Sequence, residues 1–263
     1  MSVPSTIDVP SAFNALAWAI ALVLCWKIYA DGKRGSTMRL SWFLMTLACG
    51  FSVLRHVFQF SFHLVGWDTT YPTTWVSLRQ IPIMLALVCL TAGLLAMHRA
   101  FTAVGLSGRL RSFDLAWAAG VLLFIPLIFA ERENMADSHS AWPAIRALQL
   151  ASPLLLAAPA LAGIALHRIS LEMGEGQLAL SLRFLVASLI VRLVALWMSN
   201  QSAFTDAGWI HNVGQMLFWA AHWIFLLGVW YRWRLTASAR TMTARYGADP
   251  KAEVEDLVRL ARL

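Results

Sequence analysis

Seven apolar runs dominate the chain. They cover residues 11–30, 39–64, 75–97, 112–131, 143–167, 177–199 and 209–232, and the intervals between them are eight to fourteen residues long. Each run is near the ~20 residues an α-helix needs to cross the hydrocarbon core of a bilayer. The pattern predicts an all-α fold: a seven-helix transmembrane bundle over residues 1–233, followed by a tail over 234–263 that is too short for a second domain. With 59% hydrophobic and 13% charged residues in 263, the composition lies far from that of an ordinary soluble domain.

A net charge of +7 would suggest nucleic acid if the cations clustered on one soluble face. They sit instead in short segments between runs. One set of segments is basic: Lys33, Arg34 and Arg39; Arg99, Arg109 and Arg111; Arg168, offset by Glu172 and Glu175; then Arg234, Arg240, Arg245, Lys251, Arg259 and Arg262. The alternate set is acidic: Asp8; Asp68; Glu131, Glu133 and Asp137 against Arg132; Asp206. The positive-inside rule therefore predicts an N-terminus outside and a C-terminus in the cytoplasm, in a bacterial inner membrane or a plasma membrane. Residues 1–10 contain Asp8 and no Lys or Arg, so the first run does not read as a cleavable signal peptide. The three cysteines, Cys25, Cys49 and Cys89, lie within apolar runs and read as core fillers.

Polar residues inside the runs carry the functional information. In the last run Asn212, Gln215, Trp219 and His222 recur at helical spacing, and in the second run so do Ser52, His56, Gln59 and His63, flanked by Arg55. Stripes of this kind inside a membrane face protein or water. The third run opens with Trp75, Arg79 and Gln80, the fifth with Trp142, Arg146 and Gln149, and the sixth carries Ser188 and Arg192. The first run reads as a nearly featureless packing helix.

Laying Gln80 on Gln149 also aligns His98-Arg99 with His167-Arg168, which suggests three repeated helical hairpins after helix one; the Trp-to-Gln spacings differ among them. Ligand sites in such proteins lie where repeats meet.

No Asp or Glu falls well inside any run, while Arg55, Arg79, Arg146 and Arg192 all lie in the outer halves. Arginine there needs water, carbonyls or an anion. The candidate site is thus Arg55, His56, Gln59, Arg79, Gln80, Arg146, Gln149, Arg192, Asn212, Gln215 and His222. It would bind an anionic or polar ligand, such as a lipid head group or an organic acid, in a cavity open toward the outer leaflet, for transport, lipid handling or sensing.

Two alternatives stand beside this reading. His56 and His222, the deepest histidines, would be the axial ligands of a b-type haem in an electron-transfer subunit. Alternatively, the chain is a structural or assembly subunit whose polar stripes meet a partner helix. The tail segment 249–263 reads as an amphipathic helix that lies on membrane lipids or docks a protein partner. No catalytic residue is assigned, because nothing pairs a nucleophile with either histidine. A retinal Schiff base is excluded, since the last run lacks lysine.

Overall fold

The computed structural model describes residues 9–66, 72–106, 111–112, 114–120, 143–201 and 208–246. These residues form seven helices and, among the described residues, no strand. They are α1 (Val9–Asp31), α2 (Thr37–Leu64), α3 (Pro72–Thr102), α4 (residues 114–120), α5 (Pro143–Glu172), α6 (Gln177–Gln201) and α7 (Gly208–Tyr246). Each lies over one apolar run. The rest of the fourth run and the tail segment 249–263 fall outside the described residues.

Among the described residues five stretches are long and apolar enough to cross a membrane: Ala12–Asp31, Thr37–Phe62, Gln80–Thr102, Gln177–Met198 and Asn212–Arg240. This is the architecture of a multi-pass membrane protein. Leu, Ala and Met supply good helix propensity throughout. Gly105 and Gly174 end α3 and α5 at positive φ, and Gly35 takes positive φ in the turn between α1 and α2, each without a Cβ penalty. These turns share one end of the bundle with Lys33, Arg34, Arg39, Arg99 and Arg168, hereafter the basic end. Ser36 Oγ caps α2 by accepting from Arg39 N at 3.2 Å. Asp114 Oδ2 accepts from Arg111 N and from Arg168 Nε, each at 2.6 Å, which joins the start of α4 to α5.

Packing follows a closed order. α1 lies against α2, α2 against α3, α3 against α5, α5 against α6, α6 against α7, and α7 returns to α1. The two closest seams share one device. Ser41 Oγ on α2 donates to Gly93 O on α3 at 2.8 Å, and Ser181 Oγ on α6 donates to Gly228 O on α7 at 2.8 Å. A Cβ on Gly93 would meet Met45 and Ser41 O at 3.2 Å, and one on Gly228 would meet Leu185 N and Ser181 O at 3.0 Å. Small residues at such crossings let backbones approach, which drives helix association where lipid is as apolar as the side chains.

The ring is filled unevenly. Toward the basic end Cys25, Met45, Leu94, Met97, Leu166, Ile169, Leu182, Leu185 and Val229 form part of one buried apolar cluster. Toward the opposite end a smaller apolar cluster of Leu87, Ala157 and Leu193 stands beside buried polar residues, Asn14, Ser52, His56, Ser188 and His222. At 39 residues α7 is roughly 58 Å long, well beyond the ~30 Å of a hydrocarbon core. Its last turns continue past the basic end, where Arg240 pairs with Asp31 of α1.

Candidate functional site

The polar half of the bundle is built around Trp18 of α1. Its ring lies 5.2 Å from the His222 ring and 5.2 Å from Phe225 on α7. The Arg192 guanidinium of α6 stands over the same indole, 5.9 Å from its centroid. Three helices thus meet through one aromatic plane, which takes a cation on its face and an imidazole alongside. One turn along α1, Asn14 lies on the same face and is 6% exposed, with its Oδ1 buried and without a hydrogen-bond donor among the described residues.

His222 is 6% exposed. Neither of its ring nitrogens has a hydrogen-bond partner among the described residues. A buried polar group left in that state costs roughly 1–3 kcal/mol. Arg192, Arg55 and His56 all stand within electrostatic reach of the ring. His56, 4% exposed, reaches this region from α2, with Arg55 beside it half-buried. Arg55, His56 and Gln59 each hold further interactions. Buried polar atoms without a hydrogen-bond partner here include those of His222 and Asn14.

The charge of the region has one sign. Carboxylates among the described residues are Asp31, Asp114, Glu172 and Glu175, all toward the basic end. Arg192 has no ion pair among the described residues.

The arrangement sorts the sequence candidates. Arg55, His56, Arg192 and His222, from α2, α6 and α7, come together. Gln59, Gln80 and Gln215 are half-buried on α2, α3 and α7. Asn212 is exposed, so the Asn212–His222 stripe opens outward at its first turn and is enclosed only at its last. The side chains of Arg79, Arg146, Gln149, His63 and His211 lie outside the described residues, although each sits on a helix. Asn14 and Trp18 are additions from a helix that reads as featureless in sequence. Their signal was present: Asn14 is the one amide side chain in the first run, one turn before a tryptophan.

Among the described residues no group of three or more His, Cys, Asp or Glu side chains comes together. A cavity of about 330 Å³ lies at the basic end, lined in part by Tyr29, Ser36, Arg39 and Phe43. Its arginine is already engaged, donating from Nε to Tyr29 O at 3.3 Å and stacking on that ring. Comparison of the chain with protein-family models, with curated proteins and with solved structures finds no match in any of the three.

Proposed function

We propose that the protein binds a carboxylate- or phosphate-bearing ligand between α1, α2, α6 and α7, in the half of the bundle away from the basic end. With the basic end in the cytoplasm, as the loop charges indicate, this pocket opens toward the outer leaflet or the outer medium. The observation that carries the reading is the enclosed His222 ring. Both its nitrogens lack protein partners, two arginines stand within electrostatic reach, and no carboxylate among the described residues shares that half. An oxyanion answers both needs. It accepts the imidazole N–H and pairs with guanidinium in a fork geometry that water does not match. Asn14, Gln59, Gln215 and the exposed Asn212 line the way in and supply hydrogen bonds. The alignment of Gln80 with Gln149, which also lays His98-Arg99 on His167-Arg168, supports a bundle built of repeated hairpins, with the ligand where two of them and α1 meet.

The test is a thermal-shift screen of purified protein against lipid phosphates and organic acids. A ligand that stabilises wild type should lose its effect in the Arg55→Gln/Arg192→Gln double variant. An unchanged shift in that variant would remove the reading.

One observation favours a second reading. His56 and His222 are both enclosed and lie within electrostatic reach of each other, as two axial ligands of a b-type haem would. In that case the arginines would hold the propionates. An absorbance spectrum of the purified protein, oxidised and then reduced with dithionite, separates the two. Sharp reduced α and β bands that vanish in His56→Ala and His222→Ala select haem. A colourless protein leaves the anion pocket.

A further inference from the structure

The helices α3, α5 and α7 share a spacing that makes them comparable residue by residue. A glutamine is followed thirteen positions on by a small residue and nineteen on by an arginine: Gln80, Gly93 and Arg99; Gln149, Ala162 and Arg168; Gln215, Gly228 and Arg234. In α3 and α7 the small residue also accepts the same serine hydrogen bond. Seventeen positions after the glutamine, α3 has Met97, 1% exposed, and α5 has Leu166, 0% exposed. α7 has Arg232.

Arg232 thus takes a position that is closed core in the other two helices. It lies on the α7 stripe of His222, Phe225 and Val229, and Phe225, Val229 and Leu235 around it are buried. Its Nε is buried and meets no acceptor, and its side chain has no ion pair among the described residues. Five other cations at this end are engaged. Lys27 stands over Trp233 and Arg234 over Trp230. Arg168 pairs with Asp114, Arg183 donates to Gly174 O at 2.7 Å, and Arg240 pairs with Asp31. Arg232 is itself half-buried, and an enclosed guanidinium N–H without an acceptor draws in water or an anion.

We propose that Arg232 is a second anion-binding site, for a phosphate-type oxyanion, at the basic end of the bundle. It is separate from the pocket at His222: ten residues, or roughly 15 Å, divide them, and the intervening interior is the apolar cluster of Phe225 and Val229. Its level among Trp230 and Trp233 is that of an aromatic belt, where lipid head groups and dissolved anions both arrive.

The full-length protein would be reconstituted in phosphatidylcholine nanodiscs, with and without phosphatidylglycerol. Orthophosphate binding is measured in the neutral discs, and phosphatidylglycerol retention is measured by native mass spectrometry. Arg232→Gln should weaken one of these signals at least about tenfold, and Arg232→Lys should keep most of it, which guards against simple misfolding. Loss of the lipid signal identifies a head group, and loss of the phosphate signal identifies a free anion. Wild-type behaviour of Arg232→Gln in both assays overturns the proposal. Arg192→Gln separates the two sites. If it alone alters binding, the outer pocket stands and this one falls; if Arg232→Gln alone does, the converse holds.

Discussion

At Gly228 one hydrogen in place of a methyl group decides how closely α6 and α7 approach. The atoms a Cβ would meet, Leu185 N and Ser181 O, belong to the backbone and cannot swing aside. Gly228→Ala should therefore push the helices apart and destabilise the fold by roughly 1–3 kcal/mol, the cost of overpacking a tight core. Gly50 on α2 is the control. Its nearest neighbour, Leu22 Cδ1 at 3.8 Å, is an ordinary contact, so Gly50→Ala should be neutral or gain helix propensity. Thermal unfolding in detergent reads both, and equal effects would contradict the packing described. Residue type and spacing made His56, His222, Arg55 and Arg192 legible in sequence, because charged or imidazole side chains inside an apolar run stand out. Trp18 was not legible, since a tryptophan in such a run looks like any packing residue until its ring is seen between Arg192 and His222. Asn212 shows the opposite failure. Helical spacing puts it in line with His222, but spacing does not say where along a stripe the neighbouring helices stop.

The helices themselves were easy to read, because apolar length sets their bounds. α1 and α7 extend one or more residues beyond their runs for a visible reason: past the apolar stretch Asp31 and Arg240 still pair across the two helices. The neighbours of each helix were not readable. The return of α7 onto α1 depends on side chains such as Phe13 and Trp223, 4.5 Å apart, which carry no sequence mark of pairing. The α1–α2 seam offers a direct check. Cys25 Sγ and Cys49 Sγ are 3.9 Å apart and buried. A lipid-permeant oxidant such as copper phenanthroline should join them within one chain, and Cys89, on α3, should stay free. Mass spectrometry of non-reduced peptides would show the link. A Cys25–Cys89 or Cys49–Cys89 product in its place would mean that α1 and α2 are packed differently.

Among the described residues α1, α2, α3, α5, α6 and α7 close into a ring, with the larger apolar cluster toward the basic end and the buried histidines away from it. The larger apolar cluster spans α1, α2, α3, α5, α6 and α7 and fills the interior between His222 and the basic end. Of the buried polar atoms without a partner, those of His222 and Asn14 lie away from the basic end and Arg232 Nε lies nearer it. Composition made the membrane architecture plain, and loop charge predicts an orientation. The difference between the two ends needed the packing, since apolar residues run along the whole length of each run and do not say which of them are enclosed. The claim at the centre is that the His222 ring faces a ligand. The most direct measurement is a high-resolution electron cryomicroscopy map of the protein purified in phosphate buffer. The account predicts non-protein density larger than a water within hydrogen-bond distance of a His222 ring nitrogen and of the Arg192 guanidinium. A map in which both side chains close onto protein acceptors, with no such density between α1, α2, α6 and α7, would contradict it.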